Sequence, residues 1–265
     1  MDIGSGLMVL GTAIGGAELI KKILGPTADY LGEQLRDWAK KRMENTANIF
    51  KNAEKKLGPK INENGSVAPK VLKGIIEDGG WSEEKLQIEY FGGVLASSRS
   101  ENARDDRGAY FISLISRLST YQLRSHYLFY KSLKLQFDGE NINLGEVNDR
   151  LKLRLFVPFT TFIDAMDFSD KEAESVNDLT AHSIWGLDKE DLIDQFMYGT
   201  PEYLNKDFQE KCINEDGIVF QPTVIGAQLF MWAFGYGQMD VNKLFDKQIV
   251  FNDDTEIKIG ETKKI

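Results

Sequence analysis

Apolar residues recur at three- and four-residue steps through most of the chain, the spacing of amphipathic helices. The first long run is Leu31, Leu35, Trp38, Ala39, Met43, Ala47, Phe50, Ala53 and Leu57. Arg36, Lys40, Lys41, Arg42, Lys51, Lys55 and Lys56 fall on its other face. Thr27 or Asp29 is placed to cap this helix just after Gly25-Pro26, and Gly58-Pro59 ends it. After a polar loop, Pro69 opens a shorter helix through Val71, Leu72, Ile75 and Ile76. Asp78-Gly79-Gly80 turns the chain into a third helix, starting near Ser82 and carrying Leu86, Ile88, Tyr90, Phe91, Val94 and Leu95. One helix from Ala109 to Leu133 is predicted next, its apolar set running from Phe111 to Tyr130.

The pattern loosens beyond Asp138-Gly139. Leu151, Leu153 and Leu155 alternate as a strand would, up to Pro158, and a short apolar segment, Phe159 to Met166, follows. Helices are predicted over Leu187–Met197 and Pro201–Cys212, a strand over Gly217–Gln221, and an apolar helix over Val224–Phe234. Gln248–Phe251 and Glu256–Ile259 flank Asn252-Asp253-Asp254-Thr255 as a hairpin would. The order helix, helix, strand, apolar helix is that of winged-helix-like modules. The expected fold is therefore mainly α, a multi-helix domain with a small C-terminal α+β, winged-helix-like part. The expected divisions are 1–24, 25–140 and 141–265.

Residues Ile3 to Ala17 carry no charge and include Gly4, Gly6, Gly11, Gly15 and Gly16. Such a stretch is short of the about 20 residues a spanning helix needs. It lacks a basic leader region or a signal-type cleavage site. It wants a partner surface, either its own core, a second protomer or a membrane, where Lys21 and Lys22 would suit anionic headgroups.

Charge sharpens this picture. The net charge is −9, but residues 1–60 hold ten Lys/Arg against seven Asp/Glu, whereas the remainder holds 22 against 34. A locally basic region precedes an acidic body, and bulk attraction to nucleic acid is not expected. Arg36, Lys40, Lys41, Lys51 and Lys55 are the candidate contacts to an anionic surface; a solvated helix face is the simpler reading. One cysteine, Cys212, and two histidines, His126 and His182, leave no multi-cysteine metal site and little room for a histidine one. No phosphate-binding loop, dinucleotide fingerprint, zinc-protease motif or serine-hydrolase elbow is present, and no cofactor is expected.

The densest chemistry is Arg104-Asp105-Asp106-Arg107, set just ahead of Gly108 and an apolar helix. Adjacent acids on a helix diverge by about 100 degrees and share a metal poorly. Capping and pairing with Arg99, Arg104 and Arg107 is the structural reading, and a nuclease-type acidic site is the functional one. With His126, which sits among Tyr121, Tyr127 and Tyr130, these four residues form the candidate functional cluster.

Several segments resemble the abortive-infection alpha family of bacterial phage-defence proteins. They are Gly25-Pro26-x-Ala28-x-x-x-Gly32, Ala68-Pro69-Lys70-Val71-Leu72, and Glu83-Glu84-x-Leu86-x-x-x-Tyr90-Phe91-Gly92-Gly93-Val94-Leu95-Ala96-Ser97. To these add Asp105-Asp106-Arg107-Gly108 and Leu118-Ser119-x-x-Gln122-Leu123-Arg124-x-His126-Tyr127. The resemblance covers roughly residues 25–240 and rests on their order. It implies a protein that aborts phage infection by harming or arresting the infected cell, and no agreed catalytic residues. The expectation is action by binding, as a homo-oligomer or with a partner defence protein, in the cytoplasm or at the inner membrane surface through residues 1–24. Rival readings are a toxic enzyme using the Asp105/Asp106 region and a winged-helix regulator.

Overall fold

A computed structural model describes residues 32–101, 104–207 and 212–265. The expected apolar segment 1–24 and the cap at Thr27 or Asp29 lie outside them. The chain divides into two units that meet between Ser116 and Arg117. Among the described residues the fold is mainly helical, with small antiparallel sheets. No helix among them is long and apolar enough to cross a membrane.

In the first unit, α1 (Gly32–Leu57) ends where Gly58 takes a φ of 50°, a left-handed conformation that glycine adopts without strain. Strand β1 (Ser66–Val67) pairs antiparallel with β2 (Arg99–Ser100), bracketing α2 (Pro69–Glu77) and α3 (Lys85–Ser97). Helix α4 (Gly108–Arg117) follows. The third helix starts at Lys85 rather than near Ser82, with Glu84 at its cap position.

Helix α1 packs on α3 along Thr46, Ile49 and Ala53, so the buried line is turned by about one residue from the expected one. Ile49, outside that expected stripe, is fully buried, while Met43, Ala47 and Phe50 are half-buried. The rotation has a polar cause. Lys56, expected on the basic face, turns inward to the buried carboxylate of Glu89 on α3, which Asn52 Nδ2 also reaches. A buried charge must be paired, so this contact fixes the helix's rotation. Gly92 faces Asn52 across the interface, and a Cβ there would overlap it.

In the second unit, the expected single helix over 109–133 is broken at Leu118-Ser119. Ser119 starts α5 (Thr120–Gln136) with a reciprocal capping box, its Oγ accepting from Gln122 N while Gln122 Oε1 accepts from Ser119 N. Elements α6 (Val147–Arg150), β3 (Leu155–Pro158), α7 (Phe159–Met166), α8 (Asp170–Ala173), α9 (Val176–Lys189) and β4 (Ile193–Gly199) come next. They are followed by α10 (Pro201–Leu204), β5 (Gly217–Pro222), α11 (Val224–Ala233) and β6 (Lys263–Lys264).

The sheet runs β4-β5-β3-β6, antiparallel throughout. Every residue of β3 and β5 is buried. One face meets α5, where Phe129 stacks on Phe220 at 4.3 Å. The opposite face carries Phe156 and Val219, which pack with Leu204 and Ile213. A sheet covered on both faces explains why β5 reads as a continuous apolar run.

Three further expectations fail here. The helix predicted over Leu187–Met197 stops at Lys189, and Asp191 takes a φ of 57° before the chain enters β4. Pairing of Ile193 with Pro222 outweighs local helical spacing there. Of the helix predicted over Pro201–Cys212, the described part is a single α-turn followed by a 3₁₀ turn, Asn205–Asp207; residues 208–211 lie outside the described residues, and Cys212 is exposed. The hairpin expected around 252–255 does not form. Asp253 instead accepts from Tyr127 Oη at 2.8 Å and from Lys131 Nζ at 3.3 Å, tying the tail to α5, and only Lys263–Lys264 joins the sheet.

Tyr130 closes the core of this unit. Its buried Oη donates to Leu192 O at 2.7 Å and accepts from Thr223 N at 3.1 Å. Tyr130→Phe strands both backbone groups in a dry interior. It should lower the unfolding free energy by about 1–3 kcal/mol, read from urea denaturation.

Candidate functional site

The charged cluster ahead of α4 is satisfied locally. Asp105 accepts from Arg107 N at 3.1 Å, from its Nε at 2.9 Å and from a terminal guanidinium nitrogen at 2.6 Å. This hydrogen bond, with the charge of Asp105, holds the Arg107 guanidinium above its ordinary pKa. The Asp106 carbonyl accepts from Ala109 N, opening α4, and its carboxylate lies 3.4 Å from Lys70 Nζ. Arg104 is exposed. Arg99 donates elsewhere, to the carbonyls of Lys60, Ile61 and Glu63. Among the described residues, no group of three or more His, Cys, Asp or Glu side chains is arranged to hold a metal. The geometry is that of a turn locked onto a helix start.

His126 belongs to the second unit. It lies on α5, inside the core of the second unit and fully buried. Its Nε2 is 3.0 Å from Gly226 O, and its ring lies against Tyr130 with centroids 4.6 Å apart. The carbonyl can only accept, so Nε2 carries the proton. Burial pushes the His126 pKa down to about 3, against a smaller opposing effect of that hydrogen bond. A neutral imidazole sealed from solvent supports packing, not proton transfer to a substrate.

The basic residues of α1 divide. Lys40, Lys41, Lys51 and Lys55 are exposed, with Lys41 Nζ 2.6 Å from Glu83 and Lys40 3.9 Å from Glu44. Arg36 falls on α1, and its side chain is not among those described. Arg42 is turned onto the first unit, donating to the carbonyls of Ile76 and Glu77 with its guanidinium over Trp81. The continuous basic face expected from the sequence is thus reduced by internal contacts at Arg42 and Lys56. In the second unit, Ser119 Oγ lies 2.9 Å from His182 Nε2, but that hydroxyl is already the cap of α5.

The concave surface that stands out was not foreseen. A cavity of about 580 Å³ is lined by Trp185, Asp188, Gln195, Phe196, Met197, Tyr198 and Tyr203. Helix α9 buries Thr180, Ser183, Ile184 and Leu187, the i, i+3, i+4, i+7 face of a helix, which turns Trp185 outward at 58% exposure. Phe196 meets Trp185 edge to face at 4.8 Å and lies nearly parallel to Tyr198 at 6.5 Å. Tyr203, 46% exposed, comes from α10, with Lys206 Nζ 5.0 Å from its ring centroid. An open concavity of this volume, with aromatic walls and the polar groups of Asp188 and Gln195 among them, can take a small ligand or a peptide side chain. The signal in the sequence was the alternation Phe196, Tyr198, but a helix assignment over 187–197 concealed it.

Comparison of the chain with protein-family models, curated proteins and solved structures finds no match.

The buried imidazole has a consequence for stability. Its folded pKa is depressed, so the unfolded chain binds the proton first as pH falls. The stability it contributes is present above about pH 6.5 and is lost as pH drops toward about 3. Between pH 7 and pH 5 this one group should remove about 2 kcal/mol from the unfolding free energy. His126→Gln should be less stable at pH 7 and lack that increment, as measured by urea unfolding at the two pH values.

Proposed function

We propose that this chain is an anti-phage protein of the abortive-infection type that acts by binding, with the aromatic groove between α9, β4 and α10 as its recognition surface. The carrying observation is the exposure of Trp185 and Tyr203 on the walls of a preformed cavity of about 580 Å³. Single exposed aromatics are ordinary, but Trp185, Phe196, Tyr198 and Tyr203 gather on one concavity, and grouped aromatic surface is what marks a binding face. The phage-defence part of the reading is supported by the ordered motifs, from Ala68-Pro69 through Asp105-Asp106-Arg107-Gly108 to His126-Tyr127. The local pairing of Asp105 with Arg107 supports a structural rather than a catalytic use of that cluster.

The finer winged-helix-like reading of the C-terminal part belongs to the same proposal. The order β5 then α11 supports it, and α11 is uncharged and largely buried, so the module serves packing rather than groove reading in DNA. The working location is the cytoplasm, with residues 1–24 engaging a second protomer or the inner membrane surface.

Protection of cells against infecting phage tests the reading. Trp185→Ala with Tyr203→Ala should abolish protection while shifting the melting temperature by less than about 3 °C. Asp105→Asn with Asp106→Asn should keep protection and cost less than about 1 kcal/mol in stability. The opposite pattern, with protection lost only in the Asp variant at unchanged stability, would return the acidic cluster to the role of active site.

A further inference from the structure

The groove follows the border of a sheet. Gln195, Phe196, Met197 and Tyr198 are consecutive in β4, and all four line it. Successive side chains of a regular strand point to opposite faces; the bulge between Asp194 and Met197 breaks that alternation, which lets all four reach one cavity at this edge. That edge is the outer one, because β4 ends the strand order and pairs on its inner side with β5. A register shift between Asp194 and Met197, with Gln195 at a φ of 43°, bends the strand. Beyond it, Met197 to Gly199 resume regular pairing with Val219 to Gly217.

The two borders of this sheet are treated differently. At the far side β6 is two residues long, and both are exposed lysines, a common way to blunt an edge against added strands. Strand β4 has seven residues and no lysine, and aromatic walls flank it. Among the lining residues the one charged side chain is a carboxylate, Asp188. Aromatic faces beside a carboxylate favour a cation, and Lys206 over Tyr203 at 5.0 Å is an internal instance of that contact. The chain's net charge of −9 acts in the same direction at longer range.

We propose that the outer edge of β4 takes up an extended peptide segment as an added strand, with a lysine or arginine of that segment laid against the aromatic walls and Asp188. The proposal rests on the groove being the recognition surface. Backbone pairing along Met197–Gly199 supplies register, and the groove supplies selectivity for the alternate side chains.

A displayed library of random nonapeptides, selected on the immobilised full chain, tests it. Selected sequences should lack proline and carry Lys or Arg spaced by two from β-branched or aromatic residues. Fluorescence anisotropy with a selected peptide should show binding weakened roughly tenfold by Asp188→Asn and by Trp185→Ala. N-methylation of alternate peptide amides should weaken it as much or more, because it removes the donors that strand addition needs. No enrichment above a Trp185→Ala control, enrichment of acidic or helically spaced sequences, or indifference to N-methylation would each overturn the proposal. The two levels separate cleanly. Phage protection lost in Trp185→Ala without peptide selection leaves the groove as the surface but rejects the peptide. Protection unchanged in Trp185→Ala rejects the groove itself.

Discussion

The second unit depends on one buried polar junction around α5. Tyr130 Oη bridges the backbone at Leu192, where the chain enters β4, and at Thr223, where β5 hands over to α11. One turn earlier, His126 holds Gly226 O in the first turn of α11. Thr223 completes the junction, capping α11 through Gly226 N while donating to Asp191 O. Two segments far apart in sequence, Asp191–Leu192 and Thr223–Gly226, are thereby fixed to one helix. Each bond is modest, but each group would cost more if left unpaired in a dry interior. The choice of Gly226 follows, since a Cβ there would run into the Tyr130 hydroxyl.

The groove is a by-product of that junction. Fixing Leu192 fixes where β4 begins, and the left-handed Asp191 before it reverses the direction set by α9. Trp185 then lies on the outer side of α9, against Phe196 of the strand that the reversal creates. Both walls are anchored to the core, α9 through Ile184 and Leu187 and β4 through Ile193, all buried. A recognition surface built on regular elements needs little ordering when a ligand arrives, which favours affinity.

The first unit solves a different problem with similar means. Its α1–α3 interface is apolar at Ile49, Ala53, Val94 and Phe91, yet contains the Lys56–Glu89 pair with Asn52 beside it. An apolar stripe alone allows neighbouring helix rotations of similar energy. A buried ion pair forbids those that separate it, so it acts as a register device. The exposed Asp105–Arg107 lock does less, because solvent screens it, and its role is confined to shaping the turn into α4.

Much of the fold was legible in the chain. Helical periodicity gave α2, α3 and α11, and the end of α1, nearly at their observed bounds, since burial of one stripe, or of a whole apolar helix, is written in local spacing. Gly58 and Pro69 marked ends through backbone constraints that need no partner. Composition likewise set a mainly helical, acidic protein with one cysteine. The break at Ser119 follows from the local Ser119–Gln122 capping box, a signal the sequence carries. Tertiary structure alone decided the strand at Ile193–Gly199 and the course of 248–259 outside the sheet, because distant backbone groups outbid local preference there. It also decided that Lys56 and His126 face inward. The aromatic groove belongs to this second class: Trp185 and Tyr203 come from different elements, and only the pairing of β4 with β5 brings them to one cavity.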